Sequence, residues 1–198
     1  SRAWSSDVCS SDLVPRAAVA AVVDDCAAVG VKAIVLITAG YAEAGEDGRR
    51  DQEALVAAVR KAGMRMVGPN CMGVLNAEAA TPMNASFSPI FPPPGGLALS
   101  SQSGALGMVI LSLATRRHVG LSSFVSIGNK ADVSSNDLVD YWGQDDATKV
   151  IALYLESFGN PQRFAQLART IGRRKPIIAV KSGRTRAGSD RKSTRLNS

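Results

Sequence analysis

The sequence contains few aromatic residues, few cysteines, a single histidine and no long apolar run. Aromatic residues make up 5% of the 198 positions, which leaves few platforms on which nucleic-acid bases stack. No apolar run approaches the roughly 20 residues of a membrane span, and residues 1–13 lack the apolar region of a signal peptide. The three cysteines are far apart and favour neither a disulfide framework nor a zinc site. We therefore expect a cytoplasmic protein without a nucleic-acid or membrane partner.

The positive charge is concentrated near one end of the sequence. The formal net charge is +6, but five basic residues and one acidic residue lie within 184–198. The sequence pI of about 9.5 therefore reflects this tail more than the rest of the chain. The tail at 189–198 and the lead-in at 1–13 both look non-native, because they resemble translated sequencing adaptors. We expect the chain to be an internal fragment of a longer protein.

Short apolar strands alternate with helices along most of the chain. Strands are predicted at 31–37, 64–67, 97–100, 122–127, 150–155 and 176–180. Helices are predicted at 15–29, 51–61, 103–117, 135–142 and 161–173. Since the strands are apolar throughout, they predict a doubly wound parallel α/β sheet that helices cover on both faces. The stretch at 77–95 has no helical period and ends in a run of prolines, so we predict a linker and a domain boundary there.

Residues 100–107, with the sequence SSQSGALG, join a predicted strand to a predicted helix. The N–H groups of a first helical turn and the positive end of the helix dipole favour anions. Serine hydroxyls add donors, and Gly104 lets the backbone approach a ligand. The stretch predicts a phosphate or carboxylate site, and the alternative is an ordinary serine-capped helix. Polar turns also follow three other strands, at 128–130, 156–157 and 181–184. They favour the site, because ligands of doubly wound sheets bind at that edge.

Five segments resemble the NDP-forming acyl-CoA synthetases, which include ADP-forming acetate–CoA ligase and the α subunit of succinyl-CoA synthetase. They are GPNCMGVLN at 68–76, LSSQSGALG at 99–107, SSFVSIGNKADVSSNDLVDYW at 122–142, ALYLESFGNP at 152–161 and KPIIAVKSGRT at 175–185. The resemblance implies a partial Rossmann-like CoA-binding domain at 14–76 and an incomplete flavodoxin-like ligase domain at 96–188. The family makes acyl-CoA, ADP and phosphate from a carboxylic acid, CoA and ATP, through an acyl phosphate and a phosphohistidine.

The resemblance also implies roles for the polar turns. The phosphate on the histidine would be held by Ser101, Gln102, Ser103, Gly104 and Ala105. Glu156 matches the glutamate that orients this histidine, where a carboxylate fixes the tautomer and stabilises positive charge on the ring. The alternative is a solvated glutamate at a strand end.

Loops that line the CoA site in the family correspond to two parts of the first domain. These parts contain Thr38, Ala39, Gly40, Asn70 and Cys71. Cys71 would lie near the thioester end of CoA, and the alternative is a small buried residue in a tight turn. Asn129 and Lys130 follow a strand and are predicted to contact an acid substrate or phosphate, with an exposed turn as the alternative.

The histidine that the family phosphorylates is missing from its expected position after KSGRT. The single histidine, His118, follows a predicted helix, where the dipole favours it, and we do not expect it to be catalytic. ATP or ADP, with Mg²⁺, would be bound by an ATP-grasp domain or subunit outside this chain, in an oligomeric parent. The predicted function is that of an acid–CoA ligase fragment, inactive by itself. The alternative is a CoA-binding regulatory module fused to a protein lysine acetyltransferase.

Overall fold

A computed structural model describes residues 14–182 and the backbone of residues 8–10. Its strands are β1 (Val8–Ser10), β2 (Ala33–Val35), β3 (Arg65–Val67), β4 (Gly73–Asn76), β5 (Met83–Ser86), β6 (Pro94–Ser101), β7 (Leu121–Ser126), β8 (Val150–Leu155) and β9 (Ile177–Lys181). Its α-helices are α1 (Val19–Ala28), α2 (Glu46–Lys61), α3 (Gly104–Arg116), α4 (Ser135–Gln144) and α5 (Pro161–Ile171). Within this described part of the chain, no helix combines the length and apolar character of a membrane span. The predicted α/β fold class is confirmed.

The first sheet contains three parallel strands in the order β1-β2-β3. α1 and α2 contribute Val23 and Val59 to one buried apolar core, which also contains Met66 of β3. Three residues of the lead-in at 1–13 form β1, which pairs with β2 and for which no strand is predicted. A strand of three residues is too short to show a period, so the sequence carries no signal for it.

The second sheet contains six strands in the order β5-β4-β7-β6-β8-β9. The last four of these strands run parallel, whereas β4 and β5 are antiparallel to their neighbours. On one face, Leu111 of α3 shares a buried core with Leu99 and Phe124. On the other face, Trp142 of α4 shares a core with Ile151 of β8. Helices therefore cover both faces of the central strands, as the sequence predicts.

The predicted linker at 77–95 is wrong for β5. This strand pairs with β4, and β4 pairs in turn with β7, so both belong to the second sheet. Gly73 allows the close pairing, because a Cβ there would lie 2.2 Å from the carbonyl oxygen of Ala85. The sequence does not predict β5. In the structure its residues are all half-buried or exposed, so the strand lacks the fully buried face that a one-sided strand has.

A seam joins the two sheets; it consists of residues 66–69 and 129–133. The N–H groups of Asn129, Ala131 and Val133 donate to the carbonyl oxygens of Pro69, Gly68 and Met66 at 2.9, 3.1 and 3.1 Å. The loop after β7 thereby continues along the end of β3. Since both loops leave the carboxyl ends of their strands, the seam brings the functional edges of the two sheets together.

Candidate functional site

The turn between β6 and α3 lies at the carboxyl edge of the second sheet. β6 ends at Ser101 and α3 begins at Gly104, which confirms the predicted strand, turn and helix. Ser103 is the N-cap, and its Oγ accepts the N–H of Leu106 at 3.3 Å. The N–H groups that open a helix have no acceptor within it and lie at the positive end of its dipole. The turn can therefore bind an anion through its backbone.

The two serine hydroxyls of this turn are engaged in the turn itself. Ser101 is fully buried, and its Oγ donates to the carbonyl oxygen of Ser103 at 2.6 Å. The Ser101 side chain therefore shapes the turn instead of facing a ligand, unlike the predicted phosphate contact. The backbone N–H groups of Gly104 and Ala105 are the donors that this geometry offers to a phosphate.

Gly104 and Gly107 are glycines for different reasons. A Cβ at Gly107 would lie 2.8 Å from Cζ of Phe124, so the packing of α3 on β7 requires a glycine. A Cβ at Gly104 would meet nothing closer than Cβ of Met72 at 3.5 Å, which is an ordinary contact. Packing within the protein does not require the glycine at 104, and this favours close approach of a ligand as its reason.

Gln102 links the turn to the end of β8. Its Oε1 accepts the N–H groups of Glu156 and Ser157 at 2.7 and 2.9 Å. The backbone N–H of Gln102 donates to the carbonyl oxygen of Tyr154 at 3.1 Å. The phosphate contact of Gln102 stays a prediction; in the structure its side chain holds the backbone of Glu156 beside the start of α3.

The loop after β2 and the turn after β3 lie together at the edge of the first sheet. The N–H of Asn70 donates to the carbonyl oxygen of Thr38 at 3.0 Å, and Thr38 Oγ1 donates to that of Val14 at 2.9 Å. Ala39 and Asn70 are exposed, and Gly40 is half-buried. The four predicted CoA contacts Thr38, Ala39, Gly40 and Asn70 thus share one accessible edge.

Asn129 connects this edge with the second sheet. Its Oδ1 accepts from Nδ2 of Asn70 at 3.3 Å. Its Nδ2 donates to the carboxylate of Glu43 and to Oε1 of Gln52. Glu43 in turn accepts the N–H of Gly40 at 2.5 Å. The structure therefore brings the predicted CoA contacts together with the predicted substrate contact Asn129.

Glu43 is a residue of this edge that the sequence reasoning missed. Burial raises the pKa of its carboxyl, but hydrogen bonds from Asn129 and from nearby backbone N–H groups outweigh burial, so the pKa lies below its ordinary value. The group is therefore a carboxylate at neutral pH. A signal existed in the spacing, because an acidic side chain three residues after Gly40 can reach back to its N–H.

Lys130 joins the loops that follow β7 and β8. Its Nζ donates to the carbonyl oxygen of Ser157 at 2.7 Å and also to the Ser157 hydroxyl. This places the ammonium group next to the chain at Glu156, on the same edge as the α3 turn. Contact between Lys130 and a substrate stays a prediction.

Two sequence features lie away from this edge or beyond the described residues. The N-terminal end of α3 lies at the site, whereas His118 follows its C-terminal end. His118 is therefore exposed at the opposite end of this helix from the site. Of the polar turn predicted at 181–184, Gly183 and Arg184 lie outside the described part of the chain. The tail at 189–198 lies outside it as well.

The Cys71 thiol points into the protein. The residue is 5% exposed, and its Sγ donates to the carbonyl oxygen of Leu36 at 3.3 Å. Burial raises the pKa of this thiol to about 12. The geometry favours the small buried residue over a side chain that contacts the thioester.

Because this thiol stays protonated and buried, we expect Cys71 to resist alkylation by iodoacetamide at about pH 8 in the folded chain. Peptide mass mapping measures the label at this residue. The same reaction in concentrated guanidinium chloride is the control and should label it fully. Rapid labelling of Cys71 in the folded chain would show that its thiol is accessible.

Two family models match the chain. One is described as a CoA binding domain and matches residues 10–77. The other is described as a succinyl-CoA ligase-like flavodoxin domain and matches residues 94–198, which is more than half of the chain. The matched ranges lie in the same order along the chain as the two sheets.

The chain is also similar to larger proteins. It is 40% identical over 177 residues to the α subunit of ADP-forming acetate–CoA ligase I of Pyrococcus furiosus, covering 89% of this chain and 38% of that subunit. It is 41% identical over 176 residues to the ADP-forming acetate–CoA ligase of Methanocaldococcus jannaschii, covering 89% of this chain and 24% of that protein. A solved structure of the dinucleotide-forming acetyl-coenzyme A synthetase 1 of Ca. Korarchaeum cryptofilum, in complex with phosphate and ADP, matches with a TM-score of 0.87 and 41% identity. It covers 94% of this chain and 40% of that one. The chain thus spans less than half the length of each.

Proposed function

Since the chain belongs to the family with a succinyl-CoA ligase-like flavodoxin domain, we propose that it is the part of an ADP-forming acid–CoA ligase that binds CoA and holds the phosphorylated intermediate. The parent enzyme forms acyl-CoA, ADP and phosphate from a carboxylic acid, CoA and ATP. The similarity to ADP-forming ligases favours this reaction over the acetyltransferase fusion. The full reaction requires parts of the relatives that this chain does not match, and we assign the phosphorylated histidine to such a part of the parent enzyme.

The observation that carries the proposal is the clamp that Gln102 forms between the α3 turn and Glu156. It supports a site in which a carboxylate and a set of anion-binding N–H groups lie at one sheet edge. Phosphohistidine needs these two elements, because its phosphoryl group is anionic and its imidazole ring donates through the other nitrogen. We assign the phosphoryl oxygens to the N–H groups of Gly104 and Ala105, and the ring N–H to Glu156.

The proposed chemistry conserves the phosphoryl group at every step. It passes from ATP to the histidine, which releases ADP, and from the histidine to the acid, which forms an acyl phosphate. The CoA thiol then attacks the acyl carbon, and phosphate leaves. In this sequence the α3 turn stabilises the charge on the phosphoryl oxygens, and Glu156 holds the imidazole in one orientation.

We place CoA along the edge that contains Thr38, Ala39, Gly40 and Asn70, with Asn129 at the boundary with the second sheet. The exposure of Ala39 and Asn70 supports this assignment, since a ligand can reach their backbone. Lys130 and Asn129 are then positioned for the acid or for its phosphate. Their hydrogen bonds to neighbouring loops keep both side chains at this edge.

The remaining partners are assigned to parts of the enzyme outside this chain. We propose that ATP or ADP and Mg²⁺ bind an ATP-grasp domain or subunit, and that the enzyme is an oligomer. We also propose that it acts in the cytoplasm. Cys71 is a buried free thiol, which fits a reducing compartment.

In a protein that carries this chain at the length of its relatives, Glu156→Gln is expected to lower histidine phosphorylation from labelled ATP by about a hundredfold. Glutamine keeps the shape of the side chain but loses the charge that stabilises the ring. CoA binding, measured by calorimetry, should change less than about twofold. The exposed Glu53→Gln is the matched control. Equal labelling of the two variants would overturn the role of Glu156.

A further inference from the structure

Asp132 is a buried carboxylate that bridges the two sheets. It follows β7 on the second sheet, and its side chain is completely buried. Oδ1 accepts from Arg60 at 2.9 Å, while Oδ2 accepts from Arg65 at 2.9 Å and from the N–H of Met66 at 2.8 Å. All three donors belong to the first sheet and its helix α2.

The ionised carboxylate suits this position. Burial raises the pKa of Asp132, but the hydrogen bonds from the two guanidinium groups and the backbone N–H outweigh burial, so the pKa lies below its ordinary value. A buried charge with several charge-assisted donors has one well-defined geometry, and it is destabilising once a partner is removed. Asp132 therefore holds the loop after β7 in a fixed position against α2 and β3.

The bridge lies close to the proposed site along both chains. Met66 precedes Asn70 by four residues, and Asn129 precedes Asp132 by three. Asn70 and Asn129 are themselves hydrogen-bonded at 3.3 Å. Between the bridge and this contact run the backbone hydrogen bonds of the seam. The seam therefore connects Asp132 to the boundary between the CoA edge and the phosphate edge.

We propose that Asp132 is a positioning residue that fixes the CoA-binding sheet against the sheet that carries the α3 turn and Glu156. The inference rests on the proposed function, in that it assigns Asp132 to the step that uses both edges. That step is the attack of the CoA thiol on the acyl phosphate. Histidine phosphorylation uses only the edge of the second sheet, so it does not depend on the bridge.

The first test measures hydrogen exchange in the chain itself. Asp132→Asn is expected to speed exchange at the amides of Asn129, Ala131 and Val133 by about tenfold or more, with smaller changes in β6 and β8. Arg65→Gln removes one donor from a half-exposed position and should give a weaker effect of the same kind, so it serves if Asp132→Asn does not fold. Asp47→Asn, which removes an exposed ion pair within α2, is the matched control. Unchanged protection along the seam in both Asp132→Asn and Arg65→Gln would overturn the proposal.

The second test separates positioning from stability in a protein of the relatives' length. Asp132→Asn should lower CoA-dependent acyl transfer by about tenfold, while histidine phosphorylation changes less than about twofold. Equal loss of both reactions would overturn the positioning role, since it would indicate general unfolding. Absence of histidine phosphorylation in the unsubstituted protein would instead refute the proposed function, and the exchange experiment would still decide whether Asp132 fixes the seam.

Discussion

Gly128→Ala is expected to lower the free energy of unfolding of the chain by about 3 kcal/mol or more. Gly128 has a φ of +51°, a backbone conformation that residues other than glycine rarely adopt. A Cβ there would lie 2.2 Å from the carbonyl oxygen of Asn70 and 2.3 Å from that of Pro69. Both atoms are backbone, so the seam itself must open to admit the methyl group.

Urea unfolding followed by circular dichroism measures this loss, and Gly159→Ala provides the control. Gly159 also has a positive φ, of +71°, but a Cβ there would meet only Nζ of Lys130 at 3.9 Å. Its substitution should cost only the conformational penalty, about 1 kcal/mol. Equal losses in the two variants would show that the contact at Gly128 does not constrain the seam.

Gly104→Ala is expected to reduce acyl-CoA formation by about a hundredfold in a protein of the relatives' length, without destabilising the fold. The new methyl group makes only an ordinary contact with Met72 and suits a helix better than glycine does. It would nevertheless lie at the start of α3, where we place the phosphoryl oxygens. The loss therefore arises from the ligand and not from the protein's own packing.

Gly107→Ala gives the opposite pattern and is the matched comparison. Its Cβ would lie 2.8 Å from Cζ of Phe124, so stability should fall even though the residue lies a turn away from the proposed phosphate. Activity assays and unfolding curves on both variants separate the two effects. Normal histidine phosphorylation in Gly104→Ala would mean that the turn is an ordinary helix cap.

Local patterns in the sequence predict most elements of the fold. β8 is predicted with the bounds that the structure has, because it is a continuous apolar run between polar segments. α3 and its serine cap are predicted within one residue, since capping depends on neighbours in sequence. β5 is not predicted, because its stability comes from pairing with β4 and not from its own burial pattern.

The candidate site is predictable in part for the same reason. The α3 turn follows from a local strand, turn and helix, but the roles of Gln102, Glu43 and Asp132 depend on residues distant in sequence. Their hydrogen bonds span 54, 86 and 66 positions respectively. Such partners become neighbours only through the order of the strands and the seam between the sheets. A single sequence does not specify that arrangement residue by residue.

The most direct test of the proposed function is an assay of the protein at the length of its relatives, supplied with acetate, CoA, ATP and Mg²⁺. Chromatography would measure the thioester and both nucleotide products. We predict acetyl-CoA together with equal amounts of ADP and phosphate, or the same products with another short carboxylic acid. Formation of AMP and pyrophosphate, or no thioester with any acid while CoA still binds, would contradict the assignment.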